Sequence, residues 1–551
     1  MATAGSGTAR AESDCVNGPV KRTYKAETVN ISKIATERHE RDDSGTAESS
    51  PPTETFERTQ NDEVEQPPAA GAQRAPDSNG LLSIGTDYDG VRETTSATFF
   101  GLQAAPPDTN LAAGRSKHVE VINKTVAIFN QRSGKLELRV PLDNFFDPII
   151  TEDTFVNDFP FVADPRVRYD QEADRFLIVA LFFHIPTANS AYFLAASDNS
   201  NPNGKWHLYR LTPAIDKPGL VDYPLLGVDQ DAVYLTELFI PFTEGSEFPF
   251  DSDVTLEILD KDALYAGEAV ATNHFTGLLD AEGITLIAQP AFQPSSGGES
   301  GSYYLMGNQV QNQLIGQEPD PDDTFTLWEI TNPLTNPTVS CLTIDVAPWT
   351  YPPYPEQPDT GVQIDPVGGR LMNLDYNDGT LWTTHTIRYN WSDGADNDVA
   401  IIRWYEIDPE GPSVIQYGSL GDTGTSYFLP HIRSNDERTL VGYNVSGPET
   451  YPGIEVAGRT ADTTQGEMGD TELVQKGESS LVHPELFVNR DPVQWGDYMS
   501  LSVHPTSGRF WVAGEYSPGY DIPLDADEPD RYQTRIAEIS FDEENGRGNG
   551  S

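Results

Sequence analysis

From Leu81 to Phe541 the chain is built of short apolar runs rich in Val, Ile, Phe, Tyr and Leu, separated by clusters of Gly, Asn, Asp and Pro. Almost no stretch sustains a 3.6-residue apolar period, so strands, not helices, are predicted. Residues Tyr498 to Val503 alternate exposed and buried positions, His504 to Gly508 carry turn chemistry, and Phe510 to Tyr516 alternate again: a β-meander corner. The fullest unit runs Pro165 to Asp170, Arg175 to Phe183, Ala191 to Ala196 and Lys205 to Leu211, four strands joined by three turns. Residues 1 to 80 read differently. They are polar, acidic and poor in large aliphatics, with linker-like runs at Ser49-Ser-Pro-Pro and Gln66-Pro-Pro-Ala-Ala-Gly. Such a segment buries too little apolar surface to offset its ordering entropy and is predicted mostly disordered. The expected division is therefore an acidic tail over 1–80, an all-β body over 81–545 and a flexible end over 546–551.

Within the body a unit recurs that opens on a polar-Pro or Asp element. The openings fall at Asp108, Asp164, Asp222, Gln289, Asp365, Pro430 and Asp497, at intervals of 56 to 76 residues. A four-stranded blade takes roughly 40–50 residues and long loops absorb the surplus, so seven openings predict a seven-bladed β-propeller. The last unit has only three strands, ending in Arg535 to Phe541. Its missing outer strand is expected from Ser96 to Leu102, a pairing of the N- and C-terminal strands that would close the ring and remove an exposed edge. A double β-sandwich is the competing architecture.

Composition narrows the partners. Asp and Glu number 86 against 35 Lys and Arg, a formal charge of −51. With no basic patch visible, nucleic acid is excluded as an expected partner. The excess runs through every segment, which predicts adaptation to molar salt, as in halophilic archaea, where screening lengths fall to about 3 Å. No apolar run is long enough to span a membrane, and the start Met-Ala-Thr-Ala-Gly-Ser-Gly carries no signal-peptide pattern. Cys15 and Cys341 are the only cysteines, and either a disulfide or two free thiols fits the sequence.

Several motifs follow one another in a recognisable order: Pro106-Pro-Asp-Thr-Asn110, Asp164-Pro-Arg166 with Tyr169-Asp170, Ser197 to Trp206, Gly361 to Asn373, Arg403-Trp-Tyr-Glu406, Leu440 to Asn444, Tyr451 to Arg459 and Gln494 to Tyr498. Together they resemble secreted bacterial and archaeal β-propeller proteins of the sialidase-like, Asp-box type, over roughly Phe99 to Phe541. The resemblance implies a propeller outside the cell or on its surface, and it implies little about activity. Ser197 to Trp206 and His504 to Trp511 are similar to degenerate Asp-box turns, which are structural.

In a propeller the first strand of each blade lines a central channel, so Asp108, Asp164, Asp222, Asp365 and Asp497 are expected to converge at one mouth. Converging carboxylates repel unless they are protonated or bridged by a hard cation, and Ca²⁺, with its six to eight oxygen ligands, suits them. Each Asp could equally cap its own turn before Pro or Tyr. Arg166, Arg370, Arg459 and Arg535 stand beside these openings or in adjoining strands. Clustered, they would grip a carboxylate of an acidic glycan, with Asp497, Tyr498 and Glu515 supplying an activated nucleophile and acid–base groups; otherwise they neutralise the aspartates. His385, His431 and His504 show no metal-ligand spacing, and the sequons at Asn30, Asn123, Asn390 and Asn444 are short motifs that chance also produces. Three readings follow: a binding or scaffold module for a glycan or cell-surface protein, stabilised by calcium; a glycan-processing hydrolase or lyase working at the mouth; and a structural part of a surface or viral assembly.

Overall fold

The computed structural model describes residues 11–12, 16–37, 72–76, 78–93, 98–99, 102–103, 106–151, 161–184, 189–213, 215, 217–242, 252–278, 287–293, 301–308, 322–391, 398–481, 492–519 and 532–542. Among these residues the strands form seven antiparallel four-stranded meanders in chain order. Their first strands are Asn110–Ala113, Phe161–Asp170, Gly219–Val228, Gln289–Phe292, Asn373–Asn377, Ser426–Asn435 and Ser500–Val503. These first strands touch in sequence, and that of the seventh sheet touches that of the first. Residues Val228 with Phe292, and Ala291 and Phe292 with Leu374 and Asp375, pair in parallel and join the third, fourth and fifth sheets.

The second sheet, Phe161–Asp170, Arg175–His184, Asn189–Ser197 and Lys205–Leu211, follows the strands expected from the sequence. Its middle strands are apolar throughout because both faces are covered. Leu177 and Val179 pack with Leu226 and Val233 of the third sheet, while the intervening Phe176 and Ile178 pack with Val119 and Val121 of the first. The same holds across the junction between the last and first sheets, where Trp511 and Ala513 meet Ala113 and Ile122. The core is thus a set of apolar wedges between successive sheets.

First strands carry no hydrogen-bonded neighbour on their inner edge in most sheets, and polar side chains of the adjoining sheet take that place. Asn110 Oδ1 accepts from the Val167 N–H at 2.9 Å, Asn373 Oδ1 from the Ile432 N–H at 2.9 Å and Asp375 Oδ2 from the Ser434 N–H at 2.7 Å. Ser500 Oγ accepts from the Leu111 N–H at 2.7 Å, latching the seventh sheet to the first.

Two expectations are corrected. The outer strand of the seventh sheet is Leu82–Arg92, antiparallel to Gln533–Phe541, and not Ser96 to Leu102. An outermost strand faces solvent, so its pattern of partial burial is polar and its signal weak; Thr98–Phe99 pairs only with Leu102–Gln103. The tail expected to be mostly disordered is ordered in part, over Ala11–Glu12, Asn17–Tyr24, Ala26–Asn30, Ile31–Glu37 and Gln73–Arg74. Ala26–Asn30, Asn17–Tyr24 and Ala11–Glu12 each add a fifth strand, to the second, third and fourth sheets in turn, and Gln73–Arg74 adds one to the fifth. Tyr24, Val29 and Ile31 are buried, so a few apolar residues together with edge hydrogen bonds suffice to hold the segment down. Cys341, beside Glu12 in the strand register, is disulfide-bonded, and Cys15 is the only other cysteine of the chain. Residues 38–71 and 543–551 lie outside the described residues.

Candidate functional site

The repeated openings are backbone bulges. Register slips between Ala163 and Arg166, Asp222 and Leu225, and Phe428 and His431. At each, a non-glycine residue adopts a left-handed conformation, Asp164 at φ 49°, Tyr223 at φ 50° and Leu429 at φ 50°, and a proline follows. Asp108, two residues before Asn110–Ala113, is left-handed in the same way at φ 51°, and Val367, six residues before Asn373–Asn377, at φ 59°. Left-handed aspartate and, more so, tyrosine, leucine and valine cost energy. Here the extra residues turn side chains at the strand starts toward one another.

Four of the five expected aspartates converge. The ionisation of Asp108 is pushed well up, first by burial and then by Asp497 and Asp164. That of Asp164 is likewise raised, by burial, Asp222 and Asp497, with Arg166 opposing. Asp222 is pushed up to about 6 by burial and Asp497, offset in part by the Tyr223 N–H it accepts from at 2.9 Å and by Arg370. Protein donors anchor the group: Asp108 Oδ1 accepts from the Asp497 N–H at 2.8 Å, Asp108 Oδ2 from Asn123 Nδ2, and Asn123 Oδ1 from the Asp164 N–H at 2.9 Å. Asp497 Oδ1 accepts from Gln494 Nε2 at 2.8 Å. The fifth aspartate, Asp365, accepts from the Val367 N–H at 2.9 Å and is attracted to Arg370.

Arg166 and Arg370 belong to this site; Arg459 and Arg535 do not. The Arg166 guanidinium lies 3.5 Å from the Tyr498 ring centroid and 4.9 Å from that of Tyr223, and Arg370 lies 4.9 Å from Tyr223. Nε and Nη2 of the buried Arg166 find no acceptor among the described residues. Arg459 instead stacks on Trp404 and donates to the Glu467 carbonyl, and Arg535 pairs with Asp87 and Asp89 of the closing strand. Both sit on third strands, away from the strand starts.

Tyr498 and Glu515 do not form the bonded pair expected of them. The Tyr498 hydroxyl donates to the Pro165 carbonyl at 3.1 Å, and burial pushes its ionisation well above 10. Glu515, fully buried, is pushed up to about 8 by burial and by Asp497. Thr109 stands beside it, too poorly aligned for a hydrogen bond. Its Oε1 crowds Gly496, where an added Cβ would lie 2.5 Å away. The floor of the site, Asp108, Arg166, Tyr498 and Glu515, is buried, whereas Asp164, Asp222, Arg370 and Asp497 retain partial exposure.

Among the described residues no three His, Cys, Asp or Glu side chains stand as a cation cage. Oxygen donors suit calcium in kind, but the Asp108 oxygens are already committed to Asn123 and the Asp497 N–H. His385 bonds the Gly369 carbonyl, and Asn123 and Asn444, both at sequons, are buried and hydrogen-bonded within the fold.

Sequence reading missed Tyr223, Asn123, Arg168, His431 and Arg433. The last two share a face two residues apart on the sixth sheet's first strand, and Arg168 stands two residues after Arg166; period-two spacing from the openings is the signal that finds them. Arg168 and Arg433 border a cavity of about 180 Å³ lined from six of the seven first strands, with Asp375 and Ser502 also in its wall.

No family model matches the chain, and no curated protein does. Among solved structures the chain is similar to a Trypanosoma rangeli sialidase in complex with the inhibitor DANA, at 10% identity over 68% of this chain and 54% of that one, TM-score 0.33. It is similar at 9% identity to a neuraminidase-like protein of A/little yellow-shouldered bat/Guatemala, over 63% of this chain and 93% of that one, TM-score 0.32. The N-terminal domain of Nup159 matches at 8% identity over 86% of this chain and all of the other, TM-score 0.34. The chain spans about half the length of the trypanosomal sialidase. No helix among the described residues is long and apolar enough to cross a membrane.

Proposed function

We propose that the seven sheets are the blades of a closed β-propeller, and that its mouth performs acid–base chemistry on a glycan, as a hydrolase or lyase. The observation that carries this reading is the Asp164–Asp222 pair, two partly exposed carboxyls at neighbouring openings whose ionisations are both raised by burial and by the aspartates around them. Near neutral pH such a pair holds one proton between two groups, which provides a general acid and a general base side by side. Arg370, half-exposed and charged, is placed to hold a substrate carboxylate or sulfate against Tyr223. Asp497 acts on every member of the group and sets how tightly the proton is held. The disulfide at Cys341 supports a place outside the cell, since such bonds persist where the environment is oxidising.

A binding or scaffold role is the second reading. It is favoured by the absence of Arg459 and Arg535 from the site and by the commitment of the Tyr498 hydroxyl to a backbone carbonyl. A Ca²⁺ held by carboxylates of the group would relieve the same repulsion without a shared proton, although no three of them stand as a cation cage among the described residues. It predicts a melting temperature that falls on chelation, whereas proton sharing predicts none. The deciding experiment screens acidic and neutral oligosaccharides in molar KCl with the wild type, Asp222→Asn, Arg370→Ala and, as control, Arg535→Ala. Turnover lost in the first two variants and kept in the control supports the enzyme. Folded protein that binds but never turns over a glycan leaves the scaffold reading in its place.

A further inference from the structure

In a chain of net charge −51, the axis of the molecule is cationic. Below the mouth, Arg166, Arg168 and Arg433 follow one another along the channel, and, after burial itself, Arg168, Arg433 and Arg166 help to hold His431 neutral. Asp375 faces the lower pair, 2.8 Å from Arg433 through Oδ1, and Asp164 faces Arg166 at the mouth. Arg433 also lies 3.8 Å over the ring of Phe292, and Arg168 Nη1 has only Asn110 Oδ1 at 3.3 Å and the Val167 carbonyl at 3.1 Å. Burial and the neighbouring guanidiniums bring the ionisation of Arg168 down to about 9.

The donors in this place outnumber the acceptors. Nε of Arg166, of Arg168 and of Arg433 and Nη2 of Arg166 are buried donors without a partner among the described residues, and so are the two ring nitrogens of His431, one a donor and one an acceptor in the neutral ring. Arg166, Arg433 and His431 are all more than nine-tenths buried. Unpaired buried donors on charged groups are costly, and like charges held together in a low-dielectric channel are more so. The cavity of about 180 Å³ that Arg168 and Arg433 border has room for several water-sized groups.

We propose that this channel is an anion site, in which a small anion sits between Arg168 and Arg433 and neutralises the arginine column. It adjoins the acid–base group at the mouth, with which it shares Arg166, but its occupancy does not depend on whether the mouth is catalytic. Planar guanidinium forks match oxyanions and carboxylates best, while a halide needs only the converging charge. Asp375 competes for the same guanidinium of Arg433, so it weakens the site it borders.

The test uses the full chain at constant ionic strength and pH 7. Melting temperature is titrated with chloride, sulfate or acetate against a large organic anion, and crystals soaked in bromide locate the halide by its anomalous scattering. A saturable stabilisation is expected, with bromide density in the channel between Arg168 and Arg433. Arg168→Gln, which leaves the Arg433–Asp375 pair in place, should weaken the apparent affinity tenfold or more. Asp375→Asn should tighten it, an effect that loss of a merely structural ion pair would not produce. Stabilisation by sulfate or acetate but not halides assigns an oxyanion or carboxylate; the converse assigns a halide. A linear, anion-independent response, an unchanged affinity in Arg168→Gln, or density only at the outer surface overturns the proposal.

Discussion

Glu515 shows how much one buried carboxyl sets the pH response. Its ionisation lies at about 8 in the folded chain and near 4 when unfolded, so the folded state holds the extra proton throughout that interval. The stability it contributes is complete below pH 4 and is lost as pH rises to 8. Glu120, Glu257 and Glu455, each raised to about 7 by burial, act in the same direction. Buried histidines oppose them below pH 6.5, because His118, His274 and His385 are held to about 3 and stay neutral when folded. The clean window is therefore pH 6.5 to 8, where stability should fall; Glu515→Gln should flatten the slope by about 2 kcal/mol across it, measured by urea midpoints. Gly496→Ala should destabilise by about 1–3 kcal/mol, since the new methyl meets a carboxylate with no space to withdraw. The aspartates were legible in the sequence because they stand at repeated openings, and Glu515 because a carboxylate interrupts the otherwise apolar strand Phe510–Tyr516. Arg459 and Arg535 were misplaced because a strand's sequence states its alternation but not which neighbour each face meets.

At the scale of elements, the middle strands were the easiest to find and the outermost the hardest. Arg175–His184 reads as one apolar run because two sheets cover it, while Leu82–Arg92 alternates exposed polar positions and could pass for a loop. The N-terminal strands were missed for the same reason: Asn17–Tyr24 is almost wholly exposed and owes its place to edge pairing with Val270–Thr276. Removing residues 1–37 would uncover the outer edges of Lys205–Leu211 and Val270–Thr276 together. Unpaired edges recruit other chains, so the truncated protein should show concentration-dependent association by light scattering where the full chain stays monodisperse at equal concentration. Ile31→Ala, at a fully buried position, should cost about 2–5 kcal/mol locally and speed proteolysis between residues 17 and 37.

Over the whole molecule, the wedges between sheets and the side-chain latches between first strands make each sheet depend on the two beside it. The ring of contacts was predicted from seven openings; the latches were not, because an asparagine or serine in a strand is not distinguishable from a solvated one until its neighbour is known. The charge of −51 acts on the same scale. Raising KCl from 0.1 M to 1 M shortens the screening length from about 10 Å to about 3 Å, so the unfolding midpoint in urea should rise markedly, and an unchanged midpoint would mean the surface repulsion is already offset. The order of the N-terminal pairings bears on how the chain is made. Moving outward from residue 30 toward the start, the leading segment meets the second, then the third, then the fourth sheet, the same order in which those sheets leave the ribosome. Each newly finished sheet therefore finds its next stretch of leader already tethered alongside, and the segment can zip down in stages during translation, covering every fresh edge before the next one emerges.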